Sequence, residues 1–199
     1  MKMRLDLTIV ILAGGRATRL PGKLGLRVGS ESMLERAVRQ LSRSGYPLVL
    51  SVRHPLPDMS GVTQLADRYE DAGPLGGLAT AAAVVTTPLL FAAAADLPNL
   101  DEQAIEALAR CYQRAVREGT TSPEAVVPRH ADGSIEPLAA LYDTKALRAS
   151  AERALRQRRL RVSDTLAGLL VVYHDIAAVE ESRYHNVNTA EDFARIEHP

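Results

Sequence analysis

Two adjacent glycines, two arginines and a lysine crowd the stretch VILAGGRATRLPGK, which runs from Val10 to Lys23. Glycines let the backbone turn tightly and leave N–H groups open to phosphate oxygens. Arg16, Arg19 and Lys23 add positive charge beside that turn. A nucleoside triphosphate needs such a set, because several cations around a backbone nest offset its charge. The same residues also read as a plain glycine turn with solvated arginines, and the stretch is neither a Walker A loop nor the dinucleotide fingerprint. Asp96, in AAAADLP, stands just past a fully apolar run that Pro98 prevents from continuing. A carboxylate there can hold Mg2+, which takes one or two protein carboxylates and fills its shell with water and phosphate oxygens. Asp71, in YEDAGPLGG, follows an apparent strand and precedes glycines. Taken singly, each aspartate is equally a turn or helix-capping residue. Three such features at the ends of separate strands point to nucleotide, metal and phosphate chemistry.

Strands and helices must position those ends. Leu7 to Ala13 reads as a strand buried on both faces, being nearly all apolar and rich in β-branched residues. Ser32 to Ser44 carries Met33, Leu34, Ala37, Val38 and Leu41 at helical spacing, with Gly45 placed to close the helix and Pro47 preventing a restart. Pro47 to Val52 is a second buried strand, and Val62 to Glu70 contains a short third one. Leu75 to Thr86 is small and alanine-rich, so it predicts a helix packed close to the sheet. Leu89 to Ala95 has the alanine content of a helix, but Pro88 and the DLP turn bound it as a central strand. Asp101 to Arg117 is a helix with Asp101 as its N-cap. Further strands are expected at Ala125 to Pro128, Pro137 to Tyr142 and Leu169 to Val172, and a helix at Lys145 to Arg156. Thr189 to Asp192 resembles a capping box opening a terminal helix. The alternation predicts an α/β fold: a single doubly wound (Rossmann-like) domain over residues 1–199, with a mostly parallel central sheet. In such sheets ligands sit beyond the carboxyl ends of the strands.

Bulk properties narrow the partners. Lys plus Arg and Asp plus Glu both number 24 in 199 residues, so the formal net charge is zero. No global charge calls for nucleic acid or an anionic membrane, and any anion site must be local. Cys111 is the single cysteine, which fits a reducing compartment; cytoplasm is expected. No apolar run reaches the ~18 residues of a membrane span. The short apolar run near the start is interrupted by Asp6 and followed by Gly-Gly-Arg, unlike a signal peptide. The histidines at 54, 130, 174, 185 and 198 lack ligand spacing and read as surface or structural residues, with His185 the one placed to enter a site beside Asn186. Arg156 to Val162, RQRRLRV, reads as a solvated helix end or as an attractor for an anionic phosphate or a partner protein.

LAGG-x-x-x-R after the first strand, DAGPLGGL, ADLP and NVNT occur here in that order. In this the chain resembles the molybdenum cofactor guanylyltransferases over almost its whole length. LAGG-x-x-TRL is also similar to the wider nucleotidyltransferases, sugar-phosphate enzymes included, while the tail YHNVNTAEDF and the segment DGSIEPLAALY favour the molybdenum branch. The resemblance implies GTP and Mo-molybdopterin as substrates, Mg2+ as cofactor, and molybdoenzymes or cofactor-delivery proteins as further partners. It implies that Leu12, Ala13, Gly14 and Gly15 line the nucleotide, that Lys23 and Arg19 offset phosphate charge, and that Asp71 contributes to the nucleotide site. Asp96 would hold the metal, and Asn186 and Asn188 would reach the site near metal or pterin. Those two asparagines are equally fit to form the turn before Thr189. Related cytidylyltransferases tend to read LAAG; Gly14-Gly15 leaves room where an alanine methyl would sit, which suits a purine. The family usually reads GG-x-DK, whereas this chain has LPGK, with Gly22 where the aspartate is expected. A cytidylyltransferase, a sugar-phosphate nucleotidyltransferase and a non-catalytic nucleotide-binding regulator stand as alternatives.

Overall fold

A computed structural model of the chain describes residues 4–14, 27–28, 30–59, 61–119, 122–187 and 192. In chain order these form β1 (Leu7–Leu12), β2 (Arg27–Val28), β3 (Glu31–Ser32), α1 (Met33–Ser42), β4 (Leu48–Val52), β5 (Thr63–Ala66), α2 (Gly73–Val84) and β6 (Leu89–Ala94). Then come α3 (Glu102–Glu118), β7 (Ala125–Arg129), β8 (Ala139–Asp143), α4 (Thr144–Arg156) and β9 (Val171–Asp175). Seven strands make one sheet in the order β5-β4-β1-β6-β8-β7-β9. Only β8 runs against its neighbours in that sheet; the other pairings are parallel. The doubly wound, mostly parallel α/β reading therefore holds. The connection over residues 130–138 explains the reversal, since a parallel pair needs a crossover of about a dozen residues or more. β2 and β3 form a separate antiparallel ribbon that the sequence reading did not include.

Every residue of β1 and β6 is buried. Alternate residues serve opposite faces. Ile9 and Ile11 pack with Leu34 and Leu41 of α1 and Ile105 and Leu108 of α3. Val10 and Leu12 pack with Leu75 and Leu78 of α2 and with Leu147 and Ala151 of α4. β6 is a strand despite its alanines because a central place between β1 and β8 overrides helix propensity.

Two caps fix helix entries at the site's end of the sheet. Ser32 and Glu35 form a reciprocal capping box on α1, with contacts of 2.6 and 3.2 Å. Asp101 caps α3 as expected, accepting from the N–H groups of Gln103 and Ala104. Arg183 reaches the same carboxylate at 3.1 Å and ties the C-terminal segment to that cap. Gly45 takes φ +69 just beyond α1, a conformation that favours glycine. β9 lies a little later than expected, at Val171–Asp175. Residues 156–161 are exposed, as a solvated helix end requires. The cap expected at Thr189 lies outside the described residues. Among the described residues no helix is long and apolar enough to cross a membrane.

α2 packs as closely on the sheet as its composition predicts. A Cβ added at Gly77 would overlap Ser51 Oγ and stand 3.1 Å from both Leu12 Cδ2 and Asp67 Oδ1. Gly77→Ala is therefore expected to destabilise the chain by about 1–3 kcal/mol through overpacking. A lowered denaturant midpoint at unchanged slope is the measurement that checks it.

Candidate active site

The parallel strands bring their carboxyl ends to one edge of the sheet, and the reversed β8 brings its amino end there too. Ala93 pairs with Ala139, and the Ala94 N–H donates to the Leu138 carbonyl at 2.8 Å. Residues 136–138 thus arrive beside the end of β6.

On the β1–β4–β5 side, the chain leaving β1 passes Ala13, whose N–H donates to the Ser51 carbonyl at 2.8 Å, and reaches Gly14. Ser51 is fully buried, and its hydroxyl donates to Asp67 Oδ1 at 2.5 Å. Asp67 stands immediately after β5 and extends the ladder, its N–H donating to the Val52 carbonyl. A Cβ on Gly14 would lie 2.6 Å from Asp67 Oδ2 and 3.3 Å from the Arg53 nitrogen. A side chain at position 14 would therefore crowd the neighbouring Asp67 carboxylate. Gly14, Ser51, Asp67 and Gly77 form one cluster.

Asp71 does not share that position. It is exposed, in the turn before α2, with φ 54. Asp67, which the sequence reading did not single out, is the carboxylate beside Gly14; the signal for it is its place as the first residue past the TQLA strand.

Asp96 follows β6, half-buried, at the middle of the sheet edge. Its carbonyl accepts from the Val187 N–H at 3.0 Å, which carries the neighbouring Asn186 to the site. Asp96, Glu136, Arg161 and Asn186 line a cavity of about 490 Å3. Gly15, Arg16, Arg19, Lys23 and Asn188 lie outside the described residues. Among the described residues no three His, Cys, Asp or Glu side chains gather as a metal cage. A strand-end carboxylate lining a cavity suits Mg2+, which draws most of its shell from water and phosphate oxygens.

On the β8 side, His130 bridges two carboxylates. Its Nε2 lies 3.1 Å from Glu136 Oε1 and its Nδ1 2.9 Å from Glu181 Oε2. Both nitrogens donate in the charged ring. Burial opposes that charge, but the bonds and charges of Glu136 and Glu181 outweigh it and raise the His130 pKa. Burial pushes the Glu136 carboxyl up; the His130 bond opposes this, and the charges of Asp96 and Glu181 reinforce it. The Tyr184 ring meets His130 edge-on at 6.2 Å, and its hydroxyl is pushed up chiefly by burial. His185, the histidine expected nearest the site, is exposed.

The family described as the MobA-like NTP transferase domain matches residues 9–169. The chain belongs to this family. That span includes Gly14, Ser51, Asp67, Asp96 and Glu136 and stops before Asn186. Membership makes the chain one of the nucleotidyltransferases. It is 35% identical to a probable molybdenum cofactor guanylyltransferase of Opitutus terrae, over 92% of this chain and 90% of that protein. A protein of the same designation from Natronomonas pharaonis is 30% identical, with 94% and 95% covered. Among solved structures, molybdopterin-guanine dinucleotide biosynthesis protein A of Archaeoglobus fulgidus superposes with a TM-score of 0.78 at 23% identity, covering 96% of each chain. The 2-C-methyl-D-erythritol 4-phosphate cytidylyltransferase of Thermus thermophilus gives 0.68 at 16%, covering 97% of this chain and 98% of its own. At those identities the structural likeness speaks for the fold alone.

Proposed function

We propose that this chain is a Mg2+-dependent guanylyltransferase. It would transfer GMP from GTP to Mo-molybdopterin, forming the guanine dinucleotide cofactor and releasing pyrophosphate. The observation that carries the reading is the position of Asp96 between two further carboxylates, Asp67 and Glu136. The Asp67 cluster lies on the β1–β4–β5 side, and the Glu136–Asn186 cavity on the β8 side. The names of the relatives support this choice of substrates.

Guanine presents a ring N–H and a 2-amino group side by side, which one carboxylate can accept together. Adenine and cytosine lack that adjacent ring donor, and the uracil N–H is flanked by carbonyls. Asp67 therefore takes the guanine edge, with the main chain of Leu12, Ala13, Gly14 and Gly15 against the nucleotide. Asp71, in the turn between β5 and α2, stands in the proposal as an outer residue of that site. Lys23 and Arg19 offset triphosphate charge, and Asn186 and Asn188 orient the acceptor. Asp96 would hold Mg2+, which would supply charge neutralisation to the triphosphate. The acceptor phosphate oxygen forms a bond to the α-phosphorus as the bond to pyrophosphate breaks. Positioning and charge stabilisation suffice for such a step. The proposed compartment is the cytoplasm, where the buried free thiol of Cys111 stays reduced.

Calorimetric titration with GTP, CTP, ATP and UTP in Mg2+, followed by product analysis with molybdopterin, tests this. The expected result is GTP bound at least about tenfold more tightly than the others, with one pyrophosphate released per dinucleotide formed. Preference for CTP would make the chain a cytidylyltransferase. Nucleotide binding without product would leave the regulator reading.

A further inference from the structure

The reversal of β8 sets Glu136 at the sheet edge, on the far side of Asp96 from the Asp67 cluster. Its main chain is fixed there, its N–H donating to the Pro128 carbonyl at 3.0 Å. Its side chain is held from behind by His130, which Glu181 anchors in turn. A carboxylate offers about four lone-pair sites on two oxygens, and the His130 bond uses one. Among the described residues His130 is the hydrogen-bond donor to this carboxylate. Glu136 is half-buried, so its remaining acceptor capacity lies partly out of bulk water. Leaving such capacity unmatched costs free energy that a donating ligand recovers.

The cavity in front of Glu136 has the size of a small-molecule site, about 490 Å3. Leu138 and Val162 give it apolar wall, and Asn186 gives it an amide that both donates and accepts. A flat heterocycle with adjacent N–H donors on one edge suits that combination. The pterin ring has this edge: its N3–H and 2-amino group repeat the donor pair of guanine.

We infer that Glu136 determines acceptor specificity by accepting the N3–H and 2-amino donors of the pterin ring, with His130 and Glu181 positioning its carboxylate. The inference rests on the guanylyl-transfer reading above. It makes the chain use one device twice, Asp67 for the guanine and Glu136 for the pterin, with Asp96 between them. Glu136→Gln keeps the side chain's length and its capacity to bond His130, but replaces one acceptor with a donor.

The test is fluorescence titration with 6-hydroxymethylpterin phosphate and its lumazine counterpart, which carries a carbonyl where the pterin has its 2-amino group. Mg2+ and the α,β-methylene analogue of GTP are present, so no transfer occurs. The parent is expected to bind the pterin at least about tenfold more tightly than the lumazine, because a site built for donors rejects an acceptor. Glu136→Gln is expected to erase or reverse that preference, since its amide N–H can meet the lumazine carbonyl. Analogue binding in the same samples reports whether the variant is folded. A parent ratio near one, or no pterin binding by the parent, overturns the inference without recourse to any variant. So does a folded Glu136→Gln that keeps the parent ratio, or one that changes only the Mg2+ requirement, which would assign Glu136 to the metal. Dinucleotide formation separates the two readings. Product made by Glu136→Gln at the parent's acceptor KM sinks this inference alone, whereas no product from the parent sinks the guanylyl-transfer reading.

Discussion

Asp96→Ala is expected to lower kcat by about a hundredfold to a thousandfold while the chain stays folded. The magnitude follows from removing a preorganised electrostatic partner of a charged transition state, which typically costs about 3–4 kcal/mol. The Asp96 carbonyl, which accepts from the Val187 N–H, is untouched by the substitution, so that tie to the C-terminal segment is kept. The side chain is half-buried, and its charge helps push the Glu136 carboxyl up, so losing it removes a repulsion. Single-turnover pyrophosphate release together with a thermal melt separates chemistry from folding. A folded Asp96→Ala working at near the parent rate would show that the metal-holding role belongs elsewhere. Asp96→Asn should behave almost as badly, because an amide keeps the volume but not the charge.

The elements that the sequence reveals are those whose burial is total. β1 is continuous and apolar, and its end at Gly14 follows directly. β6 is legible only through Pro88 and the DLP turn, because its alanines alone favour a helix. The direction of β8 is not legible, since an apolar strand of five residues reads alike in either direction; the shortness of residues 130–138 decides it. That reversal delivers Glu136 to the site. His130 is not legible as a site neighbour because its partners, six and fifty-one residues away, meet it only through the β7–β8 connection and the C-terminal turn. Asp67 is not singled out in the sequence for a sharper reason. A short third strand placed within Val62 to Glu70, with Asp71 taken as the residue at its end, is in the structure β5, which stops at Ala66 and makes Asp67 the strand-end residue. An error of four residues in a strand boundary therefore moves the candidate carboxylate.

Asp67→Asn is expected to weaken GTP binding by about a hundredfold or more and to shift base preference towards xanthosine triphosphate. A hydrogen bond to a charged group contributes about 1.5–3 kcal/mol, and two such bonds join a carboxylate to the guanine donor edge. Asparagine retains one acceptor and presents one donor in their place. Xanthine carries a carbonyl where guanine has its 2-amino group, so the amide donor finds a partner that the carboxylate would repel. Ser51 can still donate to the carbonyl oxygen of the introduced amide, as it now does to Asp67 Oδ1 at 2.5 Å, so the cluster around Gly14 should keep its shape. Inosine triphosphate sharpens the comparison. It lacks the 2-amino group, so the parent should bind it more weakly than GTP, while Asp67→Asn should hardly distinguish the two. The measurement is a set of dissociation constants for the three nucleotides on parent and variant, each in Mg2+. If Asp67→Asn keeps parent affinity for GTP and gains none for xanthosine triphosphate, Asp67 serves only to hold Ser51, and the guanine edge must be read by other groups. A reversal of preference is an outcome that a loosened fold cannot produce, since damage to the cluster would weaken every nucleotide in the same direction.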